Sequence, residues 1–397
     1  MRRIAFLFAA LVVWPLHARA ATWDAGVVHV PSPGGSASLG AGRRPVAVDA
    51  EGNVHVAFQS AVAEDHSQVV HILRHADGNW SEPAILSGEE SARNPTIAMD
   101  DAGGIHVVWE EGTNDGRIRY RYRPAAGDWG QIASIAEAPG LSNSPVVAVD
   151  AFDRVHLVWI DGRHGRKDLL HVLGEIGGPW TPPRVISTGG GQPDNPAIGV
   201  DGLGTVHIAW SDRVGNQRDG SYLNLFSIRL EPGQESNAKT SRLIEGNWNM
   251  YAPYLAVTED GTVHLAWLDD RTNTVGNPSE VFYRRFLPGI GWGHVKQFSR
   301  DQTQHAQPMI VEGAGGSMNL VWEDYRTGNP EIYYRQITPT TGWDPFGTRL
   351  TAHPSASQSP ALAPLPEGRM LLIWTDALES NEIRVYAKLG NVVPSEP

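Results

Sequence analysis

The stretch AMDDAGGIHVVWEE, from Ala98 to Glu111, has close copies in AVDAFDRVHLVWID from Ala148, GVDGLGTVHIAWSD from Gly199 and AVTEDGTVHLAWLD from Ala256. Each copy is an apolar run, a short Asp/Gly turn, and a second run in which a His sits among aliphatic residues three positions before a Trp. The alternation has the period of a half-buried strand, and the turn is of hairpin length. The His recurs as His55, His106, His156, His207 and His264, with Asn319 and Leu371 in the last two copies. Side chains repeated at equal spacing around a repeat fold are dispersed and cannot share one metal ion. The hairpin therefore reads as architecture, and its His as a half-buried side chain bonded to a neighbouring loop.

The aromatic residue that anchors the hairpin is Phe58, Trp109, Trp159, Trp210, Trp267, Trp322 and Trp374, at intervals of 50 to 57 residues. A period near 50 in a Gly-rich chain marks a propeller or a solenoid. Each unit supplies four strand-like runs. In the second unit these are Pro95 to Met99, Ile105 to Glu110, the alternating RIRYRYR of Arg117 to Arg123, and a run after Trp129. Four antiparallel strands in each of seven units predict an all-β, seven-bladed β-propeller. The ends of the chain support a ring. The seventh unit stops after its third strand, at Asn381 to Leu389, while TWDAGVVHVPSPGGSAS (Thr22 to Ser38) is similar to GWDPFGTRLTAHPSAS (Gly342 to Ser357). The N-terminal segment is thus expected to supply the outer strand of the last blade and close the ring, leaving no open edge.

Residues 1–20 carry Arg2 and Arg3, an apolar run from Ile4 to Leu16 and an Ala18-Arg19-Ala20 cleavage site, the pattern of a secretory signal peptide. The expected organisation is this leader, one propeller domain over 21–389, and a C-terminal tail over 390–397. The product is expected to be secreted or periplasmic, monomeric, and without a membrane span once the leader is removed. The net charge is −12, and no basic run follows the leader, so nucleic acid is not an expected partner. The absence of Cys excludes disulfides and thiolate catalysis. No cofactor and no metal site is expected.

The repeated Trp alternates in register with the aliphatic residues and reads as core. Asp49, Asp100, Asp150 and Asp201 open D-x-x-G-type turns and read as acceptors for turn N–H groups. The loops after the Trp differ in kind. They read WIDGRHGRKD from Trp159, WSDRVGNQRD from Trp210, WLDDRTNTVGNPSE from Trp267 and WEDYRTGNPE from Trp322. In a propeller these loops share a face with the crossovers between blades. Arg163, Arg213, Arg271 and Arg326 would then stud that face beside Asp161, Asp212, Asp269, Asp324 and Tyr325. They form either Asp–Arg braces or a rim for an anionic or hydroxylated ligand. One crossover, EGNWNMYAP from Glu245 to Pro253, departs from the repeat: Trp248 and Tyr251 have no counterpart elsewhere. They form either a local minicore or a stacking platform for a sugar or protein.

The pattern D-x-x-G-x-V-H-V-x-W, followed by an Asp/Arg loop and E-I-Y-Y-R, resembles the sialidase-like propellers with BNR-type repeats. HADGNWSEP (His75 to Pro83) is similar to an Asp-box hairpin, and AAGDWG, GIGWG and TTGWD are weaker versions. The resemblance implies the propeller fold. It also implies that Arg43, in Arg43-Arg44-Pro45, matches the R-x-P arginine and that Asp65 matches the acid/base aspartate. Arg93-Asn94-Pro95 opens the next unit in the same way, and no motif places the remaining arginines or the Tyr–Glu pair. Propeller polysaccharide lyases are a second enzymatic relative. The leading expectation is a binder of carbohydrate or of an extracellular protein on the crossover face. A sialidase-type glycoside hydrolase or polysaccharide lyase is the alternative, and a structural surface scaffold the third. The regularity of the repeat argues against catalysis, because the clearest break is aromatic rather than acidic. One prediction concerns export: intact-mass analysis of the protein recovered outside the cytoplasm should give a chain beginning at Ala21, and a mass retaining residues 1–20 would contradict it.

Overall fold

Every hairpin read from the repeat is present, each in a separate small sheet. The computed structural model describes residues 21–40, 44–112, 116–137, 142–163, 165–187, 191–214, 222–272, 279–301, 303–338, 342–343, 347–378, 380 and 382–392. These form seven antiparallel sheets, and the chain is a seven-bladed β-propeller. Blade 2 shows the pattern, with Ala92–Met99, Ile105–Glu111, Arg117–Arg123 and Ala133–Ala136 side by side in chain order. The first strand of each blade faces the axis and contacts its neighbours around the ring. Helical structure among the described residues is confined to three short 3-10 turns, and no helix is long and apolar enough to cross a membrane.

The ring closes as the sequence suggested. Thr22–Trp23 and Val28–His29 pair with Ile383–Asn391, the third strand of blade 7. The chain then moves on, and Ala37–Ser38 pairs with the second strand of blade 1. The last strand runs to Asn391, where it pairs with Thr22. Trp23 seals the joint, packing edge-on against Tyr334 of blade 6 at 5.2 Å. Its ring occupies the space above Gly390, where an added Cβ would lie 2.5 Å from it.

Burial of the six repeated Trp residues is nearly complete, at 0–2% exposure, and Phe58 takes the same place in blade 1. The turn residues act as expected. Asp49, Asp100, Asp150 and Asp201 accept the N–H of Asn53, Gly104, Arg154 and Thr205 at 2.6–3.0 Å. Gly52, Gly103 and Gly204, with Asp153 in the Asp150 turn, take the positive φ those turns require. The repeated His differs from expectation. It is buried rather than half-buried, and its partners lie in its own blade. His106 bridges Asp100 Oδ2 at 3.2 Å and the Tyr120 hydroxyl at 2.7 Å, and His156 bridges Asp150 and His171 in the same way. A side chain pointing between packed sheets is too deep to reach a loop of the next blade. It meets the strand beside it and the turn below it.

A further regularity appears where each first strand begins. In blades 2 to 7 the pairing slips by one residue, a β-bulge. Inside it Asn94, Ser144, Asn195, Ala252, Gln307 and Ser359 adopt φ of 46–58°. Each is followed by a Pro. A Pro has no N–H for a ladder and is tolerated in a sheet at an edge or a bulge, which this position supplies. With Arg44, which precedes Pro45, these residues form a collar around the axis. Closure by the N-terminal strand is testable at one position: Gly390→Val should displace Trp23 and cost about 1–3 kcal/mol in urea unfolding, whereas an unchanged midpoint would contradict the closure.

Candidate functional site

The loops after the Trp are built on one buried acid. Trp159, Trp267 and Trp322 each donate their indole N–H to the Asp two residues on, at 3.0–3.1 Å, and the carboxylate is almost wholly buried. The next side chain but one closes over it. Arg163 donates Nε to Asp161 at 2.7 Å, Arg271 to Asp269 at 2.9 Å and Arg326 to Asp324 at 2.8 Å, each with a second bond from its terminal nitrogen. In the loop of blade 4 the backbone N–H of Arg213 bonds Asp212. Three of the four arginines therefore brace their own loops, and what they offer a ligand is a partly exposed edge.

At the axis the structure assigns a role to Arg44, while Arg43 lies outside the described residues. Arg44 reaches from blade 1 to blade 5 and donates to the Leu255 carbonyl at 3.4 Å, beside the buried Tyr254 hydroxyl. Beyond it runs an apolar cavity of about 390 Å³, lined by Val46, Ile97, Val200, Met309 and Leu362, with Glu312 its one acid among the described residues. Asp65 is exposed in the tight hairpin turn of blade 1. Around the collar, Glu110 accepts from Arg93, Asn94 and the N–H of Ser144, tying blade 2 to blade 3. Glu323 likewise accepts the N–H of Ser359 at 2.8 Å, and Tyr325 approaches its other oxygen at 3.4 Å. Burial pushes both the Glu323 carboxyl and the Tyr325 hydroxyl up, the latter helped by the neighbouring carboxylate. Both shifts run toward the protonated forms, the opposite direction from an activated phenolate.

Between blades 5 and 6 lies a cluster that sequence reading missed. His305 takes the place filled by Ala92 and Met250 in other blades. It is 1% exposed. Its Nδ1 donates to the Ser279 carbonyl at 2.7 Å, and its Nε2 stands 3.2 Å from both Asp301 and Asp324, off the ideal hydrogen-bond line. Burial alone would lower its pKa, but Asp301 and Asp324 outweigh that and raise it to about 9. Despite its burial, Asp324 is held well below the ordinary carboxylate range by His305 and Arg326. Glu280, Asp301 and His305 place ligand atoms within 4.8 Å of one another. The geometry admits a cation, but a protonated imidazole already supplies that charge. The signal in the sequence was His305 itself, a His outside the repeated position.

Trp248 and Arg271 are brought together. The guanidinium lies 4.9 Å from the Trp248 ring and 4.6 Å from Phe282 on the other strand, so Arg271 is held between two aromatics. Trp248 is half-buried over the core of blades 4 and 5 and packs against Gly246. Tyr251 is half-buried, and burial raises its hydroxyl pKa. Next to this pair an open cleft of about 480 Å³ is lined by Arg271, Lys296, Arg300 and Arg335 together with Phe282 and Phe298. Lys296 and Arg300 are exposed. These cations come from distant points in the chain, which is why charge counting along the sequence did not find them.

No protein-family model matches the sequence, and no curated protein matches it at the sequence level. Similarity appears in three dimensions. An ulvan lyase, a polysaccharide lyase, superposes with a TM-score of 0.63 at 12% identity, covering 91% of this chain and 95% of its own. The same lyase bound to -[GlcA(1-4)Rha3S]- gives 0.62 at 13% identity, covering 92% and 94%. The BP39L lectin from Burkholderia pseudomallei gives 0.60 at 11%, covering 93% and 98%. An intramolecular trans-sialidase from Ruminococcus gnavus also matches, at 0.49 and 9% identity, covering 89% and 95%. At such identities the likeness is one of fold.

The His305 cluster makes a pH prediction. Its folded pKa lies above the unfolded value of about 6.5, so its stabilisation is complete below that value and is lost as pH rises through about 9. Wild-type stability in urea should fall over that window more than that of His305→Gln, and parallel profiles would contradict the assignment.

Proposed function

We propose that the protein is an exported carbohydrate-binding propeller whose crossover face takes an anionic glycan in the cleft beside Trp248 and Arg271. The observation that carries this reading is the cleft itself: four cationic side chains and two phenylalanines border one open site on a chain of net charge −12. Phe282 and Phe298 are buried beneath Arg271 and Arg335 and hold those guanidinium groups in place, and guanidinium groups suit carboxylate and sulfate oxygens. Exposed cations also attract anions more strongly than a braced pair does, because no fixed carboxylate competes. The glucuronate and sulfated rhamnose in the lyase complex are ligands of that protein, and they agree in chemistry with what this cleft would select. Tyr251 and the edges of Arg213 and Arg326 would extend the contact surface toward the axis, and export would follow from the N-terminal leader.

A hydrolytic reading has one observation in its favour, the Tyr325–Glu323 pair at the collar. Against it, among the described residues Arg44 alone brings a guanidinium into the axial cavity, and both members of the pair are shifted toward their protonated forms. A sialidase and lyase activity screen, run beside the binding assay, separates the two readings.

The binding test is a glycan array of the mature protein with neutral, sulfated and uronate-containing glycans. Arg271→Ala would strand the buried Asp269, so a stability loss would confuse the result. Lys296→Ala with Arg300→Ala removes two exposed charges and avoids that problem. Binding should favour anionic glycans, weaken as salt rises, and fall about tenfold or more in the double variant at unchanged melting temperature, about 1.4 kcal/mol. Preference for neutral glycans, or equal binding by the variant, would contradict the reading.

A further inference from the structure

The repeat contains a second break, on the side of the ring away from the crossover loops, and it is independent of the crossover-face reading. In blades 1, 2, 3, 5 and 6 the second-strand polar residue bonds a ring on the third strand. The pairs are His55–His71, His106–Tyr120, His156–His171, His264–Tyr283 and Asn319–Tyr334, at 2.6–3.0 Å. In blades 1, 2 and 6 that ring is in turn covered by the outer-strand Trp of the next blade. Trp129 meets His71, Trp180 meets Tyr120 and Trp23 meets Tyr334, all edge-on at 5.1–5.2 Å.

Blade 7 replaces the whole pair with apolar residues, Leu371 and Ala387, whereas blade 4 keeps the His and lacks the ring. Ser227 stands at that place, paired with Ala209 as His71 is with Ala57. His207 keeps its Asp201 partner, but among the described residues it has no third-strand partner. Trp292 of blade 5 is left facing a serine. The missing volume is open: a void of about 30 Å³ lies among His207, Ser227 and Trp292, and a groove of about 750 Å³ extends outward from Ser227 and Trp292. Phe286 and Trp292 supply aromatic surface on one wall, and Gln234 and Asn237 supply amides on the other. Arg284 lies 5.5 Å from the Trp292 ring and donates to the carbonyls of Gly293 and Leu243. It has no carboxylate partner among the described residues, so its charge is uncompensated.

We propose that this groove between blades 4 and 5 is a second ligand site, for a pyranose carrying a carboxylate or sulfate. The sugar ring packs on Trp292 in place of the third-strand ring that blades 1, 2, 3, 5 and 6 provide. A hydroxyl enters the void beside Ser227, and the anionic group lies toward Arg284.

The test uses saturation-transfer NMR of the mature protein with glucuronic acid, glucose 6-sulfate and glucose as probes. Ser227→Tyr restores the residue type of the repeat and should fill the void while preserving or raising the melting temperature. Trp292→Leu removes the stacking surface. At least one anionic probe should bind wild type saturably, with glucose about tenfold weaker, and comparison of the two anions separates carboxylate from sulfate. Each variant should weaken that binding about tenfold or more, the scale of one lost aromatic contact. Either variant suffices if the other does not fold. Lys296→Ala with Arg300→Ala should leave it unchanged, which separates this site from the crossover-face cleft. Absence of saturable binding by all three probes, or wild-type affinity in Ser227→Tyr, would overturn the site. Equal affinity for glucose and the anions would overturn its selectivity.

Discussion

A tryptophan buried whole must still satisfy its indole N–H, and an orphaned donor at that depth costs about 1–3 kcal/mol. In blades 3 to 7 the answer is an Asp two residues further along the same strand. That solution creates a second demand, since the Asp is now a buried anion. Arg163, Arg271 and Arg326 meet it in blades 3, 5 and 6, and Ser142 and Ser357 contribute in blades 3 and 7. Blade 1 has Phe58, which has no N–H to satisfy, and its position two residues on is Ser60. In blade 2 the Trp109 N–H has no partner among the described residues, so the chemistry of the crossover face starts from a packing requirement met in blades 3 to 7.

This dependence explains which parts of the molecule were legible in the sequence. Strand alternation, the Asp/Gly turns and the spacing of Trp109, Trp159 and Trp210 are local properties, and they carried the fold. The closure was legible because Thr22 to Ser38 still resembles Gly342 to Ser357. The depth of His106 was not, because burial between sheets is set by the neighbouring blade. The collar bulges escaped notice although each is marked by a Pro, since a register slip needs two strands to define it. His305 and the Lys296–Arg300–Arg335 cleft depend on contacts between blades, which a single sequence does not display.

Repetition also separates scaffold from function. The His–Tyr and His–His contacts recur in blade after blade, so they serve the ring. The departures that add polar or aromatic surface fall in one sector. Trp248 has no counterpart in other crossovers, His305 replaces a small or apolar residue, the cationic cleft lies on blades 5 and 6, and Ser227 interrupts the ring contacts at blade 4. A propeller is stiff because each sheet is wedged between two others, and one sector can diverge while the remaining blades hold the geometry. Blades 1 to 3 would supply rigidity, and blades 4 to 6 would supply recognition.

Hydrogen–deuterium exchange of the protein, with and without a saturating sulfated or uronate-containing oligosaccharide, tests that division most directly. The account predicts that ligand-dependent protection falls on the crossover after Glu245, the Lys296 to His305 segment and the groove around Trp292, with blades 1 to 3 unchanged. Protection centred on blades 1 to 3, or spread evenly over equivalent loops of all seven blades, would contradict it.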